Sequence, residues 1–476
     1  MSTTRRKKRD TGVFFWFVFF HVEENEQCKT VYEYQSETIG NLMTNGYPQV
    51  LFQNRKPDRI ATLAEYRESG GYRALEEALR HRSYGEVRQQ ILDAVVLGRG
   101  GAGFPAGKKM ETVAEDAPHP RYIVCNADEM EPGTFKDRVL LHADPHLLIE
   151  GIVLAAYAIQ ADKGIIFIRP EYESAARILE REIEVARQAG YVGEHIMASG
   201  YSLDVVVHRS GGRYICGEVT AQLNALMGRR PNPKQPPPYP TVKGLWDRPT
   251  LVNNVETLAC LPPILRNGAQ WFKDLALTEA AAGTKIFCVS GKVNRPGAVE
   301  LPLGVPLREI IEVHAGGMPE GAHFKACLPG GASTGFLTAA HYDLPMDFDA
   351  VKNAGSRLGT GAIMVFDQKT CLVAATLNLI EFFARESCGW CTPCREGLPY
   401  IKDLLQRIEA GQGRPEYIAR LDTMAGYLWN SYCAFAPGAV SALQSLLKHF
   451  ADEVQAHIEE KRCPFGQQRQ SMVSGH

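Results

Sequence analysis

The sequence predicts an α/β domain with a mostly parallel sheet, then a small α+β unit and a C-terminal helical bundle. Strand and helix patterns alternate between about residues 120 and 260, which is typical of helices covering a parallel sheet. Short strands surround one helix between about 275 and 345, and four amphipathic helical patterns follow from about 370. The 476 residues suffice for about three domains of roughly 150 residues each.

In chain order, short helices and a glycine-rich loop come first. Apolar residues at helical spacing predict helices between about 62 and 97, and the loop follows at 98–107. The next elements are a strand at 121–128, a helix at 146–159, a strand at 164–170, a helix at 173–190 and a strand at 204–210. The proline-rich segment 229–240 fits either a polyproline linker or an ordered loop over a site.

Composition and charge exclude several classes of protein. With 45% hydrophobic and 22% charged residues, the chain is neither disordered nor collagen-like. The 52 basic residues against 54 acidic residues argue against nucleic acid as the main partner.

The N-terminal apolar run Gly12–Phe20 follows the basic stretch Arg5–Arg9 and resembles a signal peptide. Its nine residues are too few to span a bilayer, and no small-residue cleavage site follows. We expect a disordered extension over 1–48, with an interfacial anchor or a targeting signal as alternatives. Since no other segment reaches 18 apolar residues, we expect no membrane span.

Four cysteines form the sharpest motif. Cys388, Cys391 and Cys394 are each separated by two residues, and Cys433 follows after 38 more. Three thiolates around one loop suit a [4Fe–4S] cluster that a remote fourth cysteine closes, whereas zinc sites usually use two separated CxxC pairs. A zinc site or no metal are the alternatives. The other eight are expected to be small buried residues rather than disulfides, so that one cluster is predicted: Cys28, Cys125, Cys216, Cys260, Cys288, Cys327, Cys371 and Cys463.

Three further segments contain candidate ligand-binding residues. The glycine-rich loop matches G-x-G-x-x-G, but a helix pattern precedes it, so it departs from the Rossmann fingerprint, and a structural turn is the alternative. Three carboxylates, Asp128, Glu129 and Glu131, follow a buried strand where α/β proteins place ligands, although a solvated acidic turn is also possible. Tyr214–Thr220 opens a helix after a glycine pair, for which a plain helix start is the alternative.

Taken together, five motifs resemble the NADH-binding flavoprotein subunit of respiratory complex I. They are GRGGAGFPAGKK, NADEMEPGTFKDR, GGRYICGE, PTLVNNVET and ESCGWCTPCREG, and the resemblance runs from about residue 50 to about 455. It implies an N-terminal helical segment with the glycine loop (49–106), a Rossmann-like FMN/NADH domain (107–274), a ubiquitin-like, SLBB-type β-grasp domain (275–365) and a four-helix bundle with a [4Fe–4S] cluster (366–476).

The resemblance also implies roles for individual residues. Glu131 is expected beside the flavin and nicotinamide rings as the catalytic residue, Phe104 and Tyr239 would stack on NADH, and the four motif cysteines would bind the cluster. The other expected cofactor-binding residues are Gly98, Arg99, Gly100, Gly101, Ala102, Gly103, Lys109, Asn126, Asp128, Glu129, Tyr214, Gly217, Glu218, Val219, Asn253, Asn254 and Thr257.

The implied activity is hydride transfer from NADH to FMN, followed by single-electron transfer to the cluster. The implied partners are a [2Fe–2S] thioredoxin-like subunit and a large iron–sulfur subunit, in a peripheral arm on the cytoplasmic face of the bacterial inner membrane. The alternatives are a diaphorase subunit of an NAD(P)-linked hydrogenase or formate dehydrogenase, and a docking paralogue with a degraded nucleotide site.

Several positions depart from the family pattern. Val219 replaces a glutamate that accepts hydrogen bonds from the adenosine ribose, Pro236 replaces a loop lysine, and Tyr239 replaces the usual phenylalanine. The stretch Met110–Thr112 also differs, where adenine would pack. Loss of a charged acceptor costs roughly 1.5–3 kcal/mol, or one to two decades in affinity. We therefore expect weaker NADH binding and relaxed discrimination against NADPH, with Lys234 as a nearby cation.

Overall fold

The computed structural model describes residues 46–56 and 58–466. The apolar run Gly12–Phe20, Cys28 and nearly all of the extension predicted over 1–48 lie outside these residues. The described chain forms two sheets and a C-terminal group of helices, as the alternation of patterns in the sequence predicts.

The first sheet has four parallel strands in the order β3-β2-β1-β4. They are β1 (Tyr122–Ala127), β2 (Lys163–Ile168), β3 (Asp204–Arg209) and β4 (Thr250–Asn254). After β1 the chain continues on one side to β2 and β3, whereas β4 pairs with the other side of β1. Ligands of α/β proteins bind at such a switch in strand order, outside the carboxyl ends of the strands.

Twelve helices surround this sheet in the described chain. They are α1 (Leu63–Glu68), α2 (Arg73–His81), α3 (Tyr84–Asp93), α4 (Ala106–Glu111), α5 (Lys136–Ala143), α6 (Pro145–Ile159), α7 (Glu173–Gln188), α8 (Val219–Leu226), α9 (Pro240–Lys243), α10 (Val255–Ala259), α11 (Leu261–Asn267) and α12 (Ala269–Lys273). Residues of α2 and α3 share one hydrophobic core with β1 and α6. The predicted boundary near residue 106 therefore does not separate two cores.

Helix α6 is apolar on every side because it is buried along its whole length, against β1, α3, α10 and α11. Among the described residues, no single helix has the length and apolar composition needed to cross a membrane. The pair α5 and α6 meets that test only when joined, and it is bent by 102°.

The second sheet is mixed, with the order β6-β5-β9-β7-β8 and with β5 and β9 parallel. Its strands are β5 (Thr284–Gly291), β6 (Gly297–Pro302), β7 (Phe324–Leu328), β8 (Leu337–Thr338) and β9 (Ala362–Asp367), with the short helices α13 (Leu307–Glu309), continued by a π turn at Ile310–His314, and α14 (Phe348–Asn353). The buried Glu300 of β6 accepts hydrogen bonds from the backbone N–H groups of Val50, Leu51 and Phe52, which fastens the first described residues to this sheet.

The C-terminal region, as far as residue 466, contains five helices rather than the predicted four. They are α15 (Leu372–Glu386), α16 (Thr392–Glu409), α17 (Glu416–Leu428), α18 (Phe435–His449) and α19 (Ala451–Glu460). The predicted last helix is interrupted at Phe450, whose φ of −136° is not helical. Lys448 and His449 end α18, and Asp452 and Glu453 begin α19, so each charge favours the helix end on which it lies.

Candidate functional site

The glycine-rich loop lies between α3 and α4, against the carboxyl end of β4. The N–H group of Gly98 donates to the carbonyl oxygen of Phe104 over 3.0 Å, which closes the loop. A Cβ on Gly100 would lie 3.1 Å from the Cβ of Asn254, and Gly103 has a φ of +67°. The loop therefore depends on glycine for its close approach and its turn.

The side chain of Arg99 points away from the loop surface into the interior. It is 0% exposed and donates to the carbonyl oxygens of Ala282 and Thr284 over 3.0 Å each. Its backbone N–H donates to the hydroxyl of Thr257 over 2.9 Å. Arg99 thus anchors the loop from beneath, while the buried Nε and Nη1 of its guanidinium have no hydrogen-bond partner among the described residues, and its expected cofactor-binding role stays a prediction.

Three asparagines meet where β1 and β4 end side by side. Asn126 donates to the carbonyl oxygen of Gly217 over 3.0 Å, and Asn254 caps α10 by accepting from the N–H of Glu256 over 3.0 Å. The buried Nδ2 of Asn253 has no hydrogen-bond partner in the described part of the chain. An unsatisfied buried donor is costly, so this atom is suited to a polar ligand.

An acidic and a basic group near this edge are also incompletely satisfied. Asp128 accepts from the Ser210 hydroxyl over 2.6 Å through Oδ1, while its buried Oδ2 has no partner among the described residues. Burial raises the pKa of Asp128 to about 7. The Nζ of Lys109 donates to the carbonyl oxygen of Val252 on β4 over 3.0 Å, and burial lowers its pKa. Together with Asn253, these groups fit a flavin with its phosphate.

Glu129 and Glu131 are close in sequence but have different environments. Glu129 accepts from the N–H groups of Asp137 and Arg138, over 2.9 and 3.0 Å, and from the Tyr172 hydroxyl over 3.0 Å. These bonds satisfy the carboxylate, whose pKa burial raises to about 7. Glu129 therefore caps α5 and supports the site, and its expected cofactor-binding role stays a prediction.

Glu131, in contrast, connects the sheet to the helical region. It accepts from the Tyr214 hydroxyl over 2.6 Å and from the N–H of Ser333 over 2.7 Å. Burial raises the pKa of Glu131, and these hydrogen bonds oppose the rise. The Tyr214 ring lies edge-on to Phe382, Phe383 and Phe435 of the bundle, with ring centroids 5.4 to 5.7 Å apart.

The segment after Gly217 begins α8. Glu218 caps this helix by accepting from the N–H of Ala221 over 2.8 Å. Val219 packs on the apolar cluster around Val252 and Leu223, so its side chain has no polar role here. Glu218 and Val219 are thus structural neighbours of the site, and the position expected to bind ribose is apolar.

The proline-rich segment is an ordered loop rather than a free linker. The N–H of Lys234 donates to the Thr220 hydroxyl over 2.7 Å, and the side chain of Gln235 donates to the carbonyl oxygen of Tyr432 over 3.0 Å. Tyr239 at its end is 60% exposed, and Phe104 of the glycine loop is 51% exposed. Both aromatic rings are therefore available for stacking.

The four motif cysteines come together around one cavity, which we name the four-cysteine cavity. It is lined by Pro233, Cys388, Trp390, Cys391, Cys394, Ser431, Tyr432, Cys433, Phe435 and Ala436. Burial raises the pKa of Cys394 to about 12 and that of Cys433 to about 11. Three thiols at two-residue spacing around one loop, with Cys433 from a separate segment, fit a [4Fe–4S] cluster better than a zinc site, which usually uses two separated CxxC pairs.

Several supporting residues were not singled out from the sequence. Lys136 contacts Asp137, Glu256 and Asn254 over 2.7 to 3.1 Å in a buried network beneath the sheet edge. Lys136, Asp137 and Glu256 lie within two of the quoted motifs, so the sequence already contained the signal that could have found them. Ser210 and Ser333 belong to no quoted motif, and only the fold brings them to the site. Glu386 is the first residue of the motif ESCGWCTPCREG, and its carboxylate accepts from the N–H of Tyr214.

A parallel sheet with unsatisfied polar groups at its switch point, joined through Tyr214 to a four-cysteine cavity, defines a component of a flavin- and iron–sulfur-dependent oxidoreductase. Three family models match the chain: the Nuo51 FMN-binding domain over residues 91–263, the SLBB domain over 286–337, and the NADH-ubiquinone oxidoreductase-F iron-sulfur binding region over 374–457.

The chain belongs to the family of the NADH-quinone oxidoreductase F subunit. It is 49% identical to the F subunit of Salmonella typhimurium over 84% of this chain and 90% of that protein. It is 46% identical to the F 2 subunit of Rhizobium meliloti over 88% of this chain and 100% of that protein. An NAD⁺-reducing [NiFe]-hydrogenase has a similar structure, with a TM-score of 0.75, 32% identity and coverage of 92% of this chain and 74% of that chain. The predicted family, oxidoreductase activity, FMN, [4Fe–4S] cluster and NADH substrate are confirmed.

Proposed function

We propose that this chain binds FMN and NADH at the carboxyl edge of the parallel sheet and passes electrons through the bundle toward quinone. The observation that carries this proposal is the pair of buried unsatisfied atoms, Asp128 Oδ2 and Asn253 Nδ2, at the edge that Tyr214 links to the bundle. FMN, when bound, accepts a hydride from NADH and releases electrons one at a time, as the cluster accepts them.

The FMN site combines backbone and side-chain groups. The N–H groups of the glycine loop and the cation of Lys109 would hold the phosphate of FMN. Asn126, Asn253 and Asp128 would offer hydrogen bonds to the polar atoms of its ring, and Gly217, which has no side chain, would leave room beside them. Arg99, Asn254, Thr257 and Glu129 hold these groups in place from behind.

Glu131 orients the reacting rings at the side nearest the bundle. Tyr214 and the N–H of Ser333 hold both carboxylate oxygens, so the carboxylate is fixed before a nucleotide arrives. Phe104 and Tyr239 lie exposed on the two loops that border the site, where they stack on the nucleotide and exclude water.

The nucleotide site accepts NADPH as well as NADH. Val219 offers no acceptor to a ribose hydroxyl and no charge that repels a 2′-phosphate, because it packs on an apolar cluster. The test is anaerobic reduction of the purified protein by each nucleotide, followed at the flavin absorbance near roughly 450 nm. We expect comparable bleaching by NADH and NADPH in the natural chain.

Two variants sharpen this test. Val219→Glu should lower the KM for NADH about ten- to hundredfold and abolish reduction by NADPH. Val242→Glu is the control: it adds the same charge at a 62% exposed position on α9. It should change neither the KM for NADH nor the reduction by NADPH. Efficient reduction of the natural chain by NADH but not by NADPH would contradict the proposal that the site accepts both nucleotides. If neither nucleotide reduces the flavin, the electron-input function fails for this chain.

A diaphorase subunit of an NAD-linked hydrogenase is a second candidate, favoured by the structural similarity at 32% identity. We propose as partners a [2Fe–2S] thioredoxin-like subunit and a large iron–sulfur subunit, in a peripheral arm on the cytoplasmic face of the bacterial inner membrane. Purification of the native complex distinguishes the two, because a hydrogenase contains nickel. The sheet orders support a Rossmann-like domain and a ubiquitin-like domain at 275–365, followed by the helical bundle at 366–476, whereas the helical segment predicted at 49–106 shares the core of the first domain.

A further inference from the structure

A second group of potential metal ligands lies at the other end of the bundle from the four-cysteine cavity. Cys371, Glu409, His457 and Cys463 each direct one ligand atom to a common point, with all four atoms within 4.8 Å of one another. We name them the Cys371–Cys463 group. They come from four segments: the N-cap of α15, the last residue of α16, the middle of α19 and the segment after it. No second group of cysteines is visible as a local motif in the sequence, as expected, but the fold brings Cys371 and Cys463 together.

The separations match the edges of a tetrahedron around one zinc ion. The Sγ of Cys371 lies 3.3 Å from the Nε2 of His457 and 3.7 Å from the Oε2 of Glu409, and the last two atoms are 3.2 Å apart. Ordinary zinc–ligand bond lengths give edges of about 3.6 Å from sulfur to nitrogen or oxygen, and about 3.4 Å from nitrogen to oxygen. The group is thus already near the geometry of coordination.

The surroundings orient the ligands. The Nδ1 of His457 lies 2.6 Å from the carbonyl oxygen of Glu453, to which it donates, and this bond turns Nε2 toward Glu409 and Cys371, where a metal would replace the Nε2 proton. The N–H of Ala374 donates to the Sγ of Cys371 over 3.3 Å at the N-terminus of α15, which orients this sulfur. Cys371 and His457 are buried, so the group is shielded from most of the solvent.

We propose that the Cys371–Cys463 group binds one structural zinc ion. Two thiolates and an imidazole select a soft, tetrahedral ion over magnesium or calcium, and four protein ligands leave no open position for catalysis. Binding displaces the two thiol protons, and the Nε2 proton of His457 when the imidazole is charged, to solvent, and no electron is transferred. The ion fastens the segment around Cys463 to α15, α16 and α19. Helix α15, with 15 residues, spans about 22 Å between the two ends of the bundle, so this site is separate from the iron–sulfur cluster.

The test is metal analysis of the full chain with its cluster, purified without chelators from zinc-supplemented medium. We expect one zinc per chain beside the iron, and zinc X-ray absorption with two sulfurs at about 2.3 Å and two nitrogen or oxygen ligands at about 2.0–2.2 Å. Cys463→Ser, at a partly exposed position near the end of the described chain, should lower zinc at least tenfold and leave iron and flavin unchanged. His457→Gln should do the same. Cys327→Ala removes a buried thiol of β7 and should retain the zinc.

Three outcomes would overturn the proposal. They are less than a tenth of an equivalent of zinc in the natural chain, zinc that persists in both Cys463→Ser and His457→Gln, and an intact mass that has lost two hydrogens through a Cys371–Cys463 disulfide. Because flavin and iron are measured in the same samples, failure of the zinc site is distinguishable from failure of the electron-input function.

Discussion

The two ends of the C-terminal bundle contain different sets of potential metal ligands. Four cysteines line the four-cysteine cavity, whereas the Cys371–Cys463 group combines two cysteines with a histidine and a glutamate, whose ligand atoms all lie within 4.8 Å of one another. The ligand set favours a different bound group at each end, because iron–sulfur clusters bind cysteine thiolates and a single zinc ion also accepts imidazole and carboxylate ligands.

The two ends also differ in what they contact. The cavity adjoins Phe435, whose ring packs on Tyr214, and Tyr214 in turn bonds Glu131 at the sheet edge. Near the other end, Glu453 of α19 pairs with Lys325 of β7 over 2.5 Å. The end with the four-cysteine cavity is therefore connected to Glu131 at the edge of the parallel sheet. The end with the Cys371–Cys463 group is connected to the second sheet.

The largest expected effect comes from Cys391→Ser, which removes a ligand of the cavity. Iron should fall to a small fraction of its normal content, with loss of the cluster's electron paramagnetic resonance signal, while flavin reduction by NADH stays within about threefold. Zinc should be unchanged, the reverse of the result for Cys463→Ser. Loss of both metals in either variant would show that the two ends are not independent.

Asp128→Asn tests the buried carboxylate at the edge of the parallel sheet where we propose that FMN binds. The pKa of Asp128 is raised from an ordinary 3.8 to about 7, so the folded flavin-free chain holds a proton that the unfolded chain releases between these pH values. The stabilisation from Asp128 is therefore fully present below about pH 4 and is lost as the pH rises to about 7, by roughly 4 kcal/mol at most.

Melting temperatures of the flavin-free natural chain and the variant, measured between pH 4 and pH 8, check this sign. The advantage of the natural chain over Asp128→Asn should shrink up to about pH 7 and then stay constant. A difference that grows with pH would contradict the burial of this carboxyl group.

Tyr214→Phe breaks the connection between the sheet edge and the bundle without removing the ring. Glu131 loses a hydrogen bond that lowers its pKa, so its pKa should rise and the acid limb of kcat/KM for NADH should move to higher pH. We expect a loss of about tenfold near neutral pH, since one hydrogen bond to a charge is worth roughly 1.5–3 kcal/mol. Tyr417→Phe, at a buried tyrosine of α17, is the control, and equal pH profiles would exclude the role.

The smallest effect is expected for Lys325→Met, which removes the ion pair between β7 and Glu453 of α19. The ion pair with Glu453 is partly buried, with side chains 14% and 13% exposed, and its loss should cost on the order of 1 kcal/mol. The melting temperature should fall by a few degrees at most, with less than a twofold change in zinc and none in iron. A large loss of iron would show that the two ends are coupled.

Local patterns in the sequence predict much of the fold and part of the site. Alternating strands and helices predict the parallel sheet, and the spacing of Cys388, Cys391 and Cys394 predicts a metal centre. The break at Phe450 escapes prediction, because the apolar spacing of α18 continues across it into α19. Local patterns likewise do not distinguish Glu129 from Glu131, since both belong to one acidic motif, and only the resemblance to the family gives Glu131 the catalytic position.

Long-range packing assigns those residues their different roles. Glu129 caps α5 and Arg99 turns inward, while Glu131 meets Tyr214, 83 residues further along the chain. The Cys371–Cys463 group spans 93 residues from Cys371 to Cys463, and no spacing within it signals a site. Neighbours in sequence leave a periodic pattern because one loop or helix carries them together. Residues on separate segments meet only after the hydrophobic cores have formed, so their proximity is a property of the folded chain.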